Sequence, residues 1–178
     1  MSVFSNLINV NNNGEITYSN WIEWQHKFFG LFHCSVCLAL NQCWFARNKM
    51  PEIPQHEKCH CSTFRIAKPT LKSINAECDI RKFTEYIFSE KYAWNGKRDL
   101  FEILGFNKSD SYFLKSEYEN QAAENYCNGN YILDKLDSQG QRINIKIKFS
   151  INNRDIEFIS GWMVKPKGKI TNNTPLAD

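Results

Sequence analysis

Cys34-Ser-Val-Cys37 is followed after eighteen residues by His56-Glu-Lys-Cys59-His-Cys61, so five soft donors fall in two tight clusters within 28 residues. A tetrahedral zinc site takes four thiolate or imidazole ligands, and two short knuckles can supply them. The spacing therefore predicts a loop closed by a metal, with Cys34 and Cys37 joined by two of His56, Cys59 and Cys61. The plainer reading is a set of reduced cysteines in a small core. Against it, Cys59 and Cys61 lie in the polar run Gln55-His-Glu-Lys-Cys-His-Cys-Ser62, where core cysteines are not expected. A complete thiolate and imidazole shell makes such a zinc structural. A catalytic zinc needs an open position and a nearby acid. Glu57 is at hand, but the pattern is not that of the zinc deaminases or proteases.

The other cysteines define the compartment. There are seven in all, an odd number, and Cys78 and Cys127 stand alone. No disulfide framework is indicated, which fits a reducing cytoplasm. No basic segment followed by an apolar one opens the chain as a secretory signal would. The longest apolar runs, near residues 28–32 and 36–40, are far too short for a membrane span. The expectation is a protein acting in the cytoplasm, away from membranes, and exported only if another carrier moves it.

With 178 residues the chain has room for a small module and one domain. The expected division is a zinc-knuckle module over 1–68 and a second domain over 69–178. In the first part, residues 19–33 carry apolar groups near helical spacing, with Ser19 or Asn20 as the cap. Residues 62–77 read as a linker. In the second part, helices are predicted over 79–89, 97–104 and 109–127, with a turn at Asn95-Gly96 and a stop at Gly105. The period then changes from 3.6 to 2. Ile143, Ile145, Ile147 and Phe149 alternate with Asn144, Lys146 and Lys148, a half-buried strand. A hairpin turn at Asn152-Asn153, a partner strand over 155–164, a turn at Pro166-Lys-Gly168 and a short edge strand over 170–174 complete the series. The order predicts an α+β fold with N-terminal helices packed on a four-stranded antiparallel sheet.

The net charge of +3 is mild, but its distribution is not. Residues 141–170 hold seven Lys or Arg against Asp155 and Glu157, a local +5 that would attract a polyanion. A solvated basic sheet face is the plainer account. All four histidines precede residue 62, so the second part has no histidine of its own for acid–base work. His26, His33 or His60 would have to reach across to it. What remains suits one chemistry. RNA carries its own nucleophile, the 2′-hydroxyl, and fixed Lys and Arg can stabilise the phosphorane's charge. Lys82, on the helix side away from Phe83 and Ile87, is one candidate. Lys97 is another, because a cation opening a helix opposes the helix dipole. Gln141 and Arg142, after Gly140 at a strand entrance, could hold phosphate, as could Thr171 and Thr174. Each also has a structural reading: a solvated Lys, an exposed pair, a capped turn. Tyr131 reads as core with a general base as the alternative, Trp162 as core, and the Lys165, Lys167, Lys169 hairpin as a steering element.

Two resemblances follow from these residues. Cys34, Cys37, the apolar Leu38-Ala39-Leu40, Pro54, His56, Cys59 and Cys61 resemble the C-terminal signature of phage head-morphogenesis proteins, over about 40 residues. This implies a stabilising or packaging module. Across the second part, Lys82-Phe83, Asn95-Gly96-Lys97, Leu100-Phe101, Gly105-Phe106, Gly140-Gln141-Arg142, Gly161-Trp162-Met163-Val164 and Asn173-Thr174-Pro175 resemble toxin domains of the barnase, EndoU, colicin and RelE-like superfold. That resemblance implies a metal-independent endoribonuclease toxin, with tRNA or another structured RNA as substrate and an immunity protein as partner, carried by a phage or secretion system. Where that family places a histidine after the first helix, this chain has Lys91-Tyr92. Zinc would be structural, with no cofactor for catalysis. The alternatives are a non-enzymatic nucleic-acid- or protein-binding adaptor and a zinc enzyme using the N-terminal cluster.

Overall fold

The computed structural model describes residues 8–10, 16–27, 34–151 and 154–177. The expected turn at Asn152-Asn153 and His33 lie outside them. A short antiparallel pair, β1 (Ile8–Val10) and β2 (Ile16–Tyr18), leads the chain.

The helix expected over 19–33 is a strand where it is described. β3 (Trp21–Gln25) lies between β4 (Trp44–Ala46) and β5 (Ser62–Ile66) in an antiparallel sheet. Trp21, Ile22 and Trp24 fit either period over so short a run, and Trp favours a strand paired on both sides. The linker expected over 62–77 is likewise structured. It holds β5, a helical turn over Leu71–Ser73 and β6 (Asn75–Glu77). These short strands exist through their partners: β5 pairs with β3, and β6 runs parallel to β10 (Lys169–Thr174).

The second sheet follows the predicted alternation closely. β8 (Gly140–Ile151) pairs antiparallel with β9 (Arg154–Val164) and with β7 (Ile132–Asp137). Ile143, Ile145, Ile147 and Phe149 are buried, while Lys146 and Lys148 are exposed. The sheet differs from the expected four antiparallel strands. It has five, in the order β6-β10-β9-β8-β7, and is mixed because β6 is parallel to β10. β10 is therefore an internal strand rather than an edge. The fold remains α+β.

Among the described residues, three α-helices accompany the sheets: α1 (Ser35–Leu40), α2 (Lys97–Ile103) and α3 (Ser111–Cys127). Residues expected as a helix over 79–89 form one π-helical segment, Lys82–Ile87, closed by the Phe88 N–H donating to the Phe83 carbonyl at 2.9 Å. Gly105, with φ +85°, follows α2 in the left-handed region. None of the described helices is long and apolar enough to cross a membrane.

A single apolar cluster unites residues from either side of the 68/69 boundary. It includes Trp21, Trp24 and Phe45 together with Tyr118, Tyr126 and Trp162. Polar ties cross the same ground. The Tyr126 hydroxyl donates to the Trp44 carbonyl, and the Ala46 N–H donates to the Tyr131 hydroxyl at 2.9 Å. The Pro166–Lys169 turn docks here as well. Lys167 and Gly168 both have positive φ, +59° and +75°, as a tight hairpin turn requires, and the Lys167 N–H donates to the Gln42 carbonyl at 2.8 Å.

Candidate metal centre and basic site

Each half of the cysteine cluster is shaped by a local turn. The Cys34 carbonyl accepts from the Leu38 N–H at 3.0 Å as α1 begins, which stacks Cys37 near Cys34 on one helix side. The Cys59 N–H donates to the His56 carbonyl at 3.0 Å, which brings the second pair together. The two turns then meet. Cys37 Sγ lies 3.4 Å from His56 Nε2 and 3.8 Å from Cys59 Sγ. Cys61 Sγ lies 3.6 Å from His26 Nδ1. A tetrahedral ion with Zn–S and Zn–N bonds of about 2.3 and 2.0 Å holds its donors about 3.5–3.8 Å apart. These separations fit that geometry.

Two donor triplets share Cys37, namely Cys34, Cys37 and His56, and His26, Cys37 and Cys61; within each, the donor atoms all lie within 4.8 Å of one another. This cluster of cysteines and histidines can hold a metal ion. His26 is a donor that knuckle spacing does not reveal. It follows β3, eight residues before Cys34, and its N–H is fixed by the Asn41 side-chain oxygen at 3.0 Å. Burial, followed by the thiols of Cys61, Cys34 and Cys59, pushes the Cys37 pKa far up. Burial also raises Cys61, against the opposing effect of the Trp24 indole. Burial acts on Cys59 too, but backbone N–H groups of the Cys61 and Gln55 region outweigh it and lower that thiol. Crowded thiols of this kind are what a dication relieves, since it binds them deprotonated.

The expected phosphate-handling residues divide into two groups. Three converge. Lys82, from the π-helical segment, donates its ammonium to the Asn173 carbonyl at 2.7 Å. Lys97, from the start of α2, donates to the Leu176 carbonyl at 3.0 Å. The Thr174 hydroxyl donates to that same Leu176 carbonyl at 2.7 Å. Aromatic rings stand on the Lys97 side of this group. Lys97 stands 5.9 Å from the Tyr86 ring centroid, Tyr86 and Tyr92 are 5.2 Å apart, and Lys91 stands over Tyr92 at 5.3 Å. Trp94 is 83% exposed alongside them in sequence.

The other three lie elsewhere. Gln141 is buried, and its side-chain N–H groups donate to the Asp134 and Arg142 carbonyls at 2.7 and 2.6 Å. Arg142 pairs with Asp137 at 3.3 Å. Thr171 sits across Met163 from Arg142 in the sheet register and borders an acidic cleft with Glu77, Asp79 and Glu119. The basic hairpin is partly neutralised, because Lys169 pairs with Glu77 at 2.7 Å, while Lys165 keeps its charge and donates to the Gln139 carbonyl. Tyr131 and Trp162 are core, as expected. His60 is exposed.

Comparison with known proteins finds no matching family model, curated protein or solved structure.

Proposed function

We propose that the chain is a metal-independent endoribonuclease of the toxin type, held together by a structural zinc at the Cys34, Cys37, His56, Cys59, Cys61 and His26 cluster. One observation carries the reading: Lys82 and Lys97, from separate helical segments, both reach the chain at residues 173–176, where Thr174 shares the Leu176 carbonyl with Lys97 and the Tyr86 ring, itself beside Tyr92, stands 5.9 Å from Lys97. Two ammonium groups and a hydroxyl suit a phosphate, and adjacent rings suit unstacked bases. In the reaction, the RNA 2′-oxygen bonds to phosphorus as the phosphorus–5′-oxygen bond breaks. Solvent takes the 2′-hydroxyl proton and returns one to the 5′-oxygen. The products are a 2′,3′-cyclic phosphate and a 5′-hydroxyl. Lys82 and Lys97 contribute by stabilising the negative phosphorane. Zinc, when bound, supplies cross-linking of the N-terminal strands and no step of the cleavage. An immunity protein would act by covering this basic face.

The test is cleavage of total RNA and tRNA in magnesium-free buffer by the zinc-loaded chain. Lys82→Ala and Lys97→Ala should each lower the rate at least about 100-fold, the scale of a lost charge-stabilising group, with zinc content and fold unchanged. Intact RNA with a sound fold would overturn the reading. A second reading, a nucleic-acid-binding adaptor without catalysis, is favoured by one observation: Lys82, Lys97 and Thr174 all donate to backbone carbonyls, as purely structural groups do. Salt-sensitive RNA binding without cleavage would establish it.

A further inference from the structure

A second polar surface lies away from both sites. The turn after β4 and the turn after α3 face one another across a cleft of about 470 Å³, bordered by Asn20, Asn48, Lys49, Lys68, Asn128 and Asn130. A neighbouring cleft of about 450 Å³ shares Lys49 and Asn130 and adds Asn144 and Lys146 from the outer side of β8. Each volume falls in the range of about 300–1,000 Å³ that encloses a small ligand or one unit of a polymer.

The walls are held in place rather than loose. The Lys49 ammonium donates to the Gly129 carbonyl at 2.7 Å and stands 5.7 Å from the Tyr131 ring centroid. The Tyr131 hydroxyl donates to the Lys49 carbonyl at 3.0 Å and accepts from the Ala46 N–H at 2.9 Å. Those bonds lock residues 46–49 to residues 129–131 and fix Lys49 as the divide between the two clefts. At one end Tyr18 is 61% exposed, with Arg65 stacked 5.0 Å from its ring centroid. At the other end the cleft runs onto the outer side of β8, where Lys146 is ion-paired with Glu157 at 2.5 Å.

Lysines spaced along a groove bind successive phosphates, asparagine amides pair with base edges, and an exposed ring supplies a stacking face. We infer that the paired clefts bind a single-stranded polynucleotide, with Lys49 and Lys68 on phosphates and Asn130 and Asn144 on base edges. The choice of RNA over DNA as the strand rests on the ribonuclease reading. The N-terminal part then supplies half of a binding groove, and the metal-held strands set its wall.

The test is fluorescence anisotropy of a labelled 12-mer oligoadenylate or oligouridylate, 2′-O-methylated throughout so that it cannot be cleaved, with the zinc-loaded full chain. Lys49→Ala with Lys68→Ala should weaken binding about tenfold and reduce the salt slope by about 1.4, or about 0.7 per phosphate contact on a single strand. Lys68→Glu alone, at an exposed position, gives the same direction without disturbing the Lys49 bonds. Lys72→Ala with Lys108→Ala, equal in charge loss and outside the clefts, should leave binding within about twofold. Equal losses in the cleft and control variants, wild-type binding by Lys68→Glu, or preference for a duplex would each overturn the inference. Binding through the clefts without any cleavage of natural RNA would leave this inference standing and remove the ribonuclease reading. Cleavage that Lys49 and Lys68 substitutions do not affect would do the reverse.

Discussion

Tyr131 and Lys49 hold each other twice: the Tyr131 hydroxyl donates to the Lys49 carbonyl, and the Lys49 ammonium stands over the Tyr131 ring. The pair joins a turn of the metal-bearing part to the start of the large sheet.

Tyr131→Phe leaves the Ala46 N–H without its acceptor in a buried setting. An unsatisfied buried donor costs about 1–3 kcal/mol. Urea unfolding should show that loss, and circular dichroism and tryptophan fluorescence should still report one coincident transition, because Trp21 and Trp24 share a core with Trp162.

Cys37 belongs to both donor triplets. Cys37→Ser should therefore abolish metal binding, whereas Cys34→Ser or His26→Ala should weaken it and retain a metal at high concentration. Metal content by mass spectrometry and the thiolate absorption of the cobalt-substituted chain check this. Chelation should unfold at least β3, β4 and β5, since binding energy at such sites is folding energy, about 10–16 kcal/mol in zinc-finger peptides.

Burial pushes the thiols of Cys43 and Cys78 from 9.0 up to about 12. In that window the folded chain keeps protons that the unfolded chain has released. Stability from these two groups is thus complete below about pH 9 and falls as pH rises toward 12. Thermal melts from pH 8 to 11 should show a falling midpoint, steeper than that of a Cys43→Ala, Cys78→Ala variant. At pH 8 both thiols should resist iodoacetamide in the folded chain.

Gly168 has φ +75°, and a Cβ there would lie 2.7 Å from both the Ser73 carbonyl oxygen and the Trp44 ring. Gly168→Ala should destabilise by at least the about 1–3 kcal/mol of a strained backbone, seen as a lowered urea midpoint. Asn at this position tolerates the φ but not the contact, so Gly168→Asn should not rescue.

The sequence is most legible where one period acts over many residues. β8 alternates strictly because one side of it packs on α3 and the other does not, and α2 stops where Gly105 takes a left-handed conformation. Short elements are decided by partners that local pattern does not contain. β3 carries Trp21, Ile22 and Trp24 in an order that suits either period, and β5 and β6 are strands only because β3 and β10 offer edges. The cysteine spacing marked five donors. His26 stands outside that spacing because it reaches the cluster from the end of a strand rather than from a knuckle. Local pattern marks Lys82 and Lys97 as unusual lysines, but that both reach residues 173–176 depends on where β10 ends.

On the proposed reading, the two lysines that hold residues 173–176 act as a latch. An ammonium fully engaged with a phosphate is drawn from its carbonyl, so an anion at this place competes with the chain's own backbone. Tyr118, whose hydroxyl donates to the Pro175 carbonyl at 3.2 Å, keeps its hold either way. Occupancy of the site would thus be written into the amide exchange of the segment beyond β10, which quickens when the lysines turn outward and slows when they return.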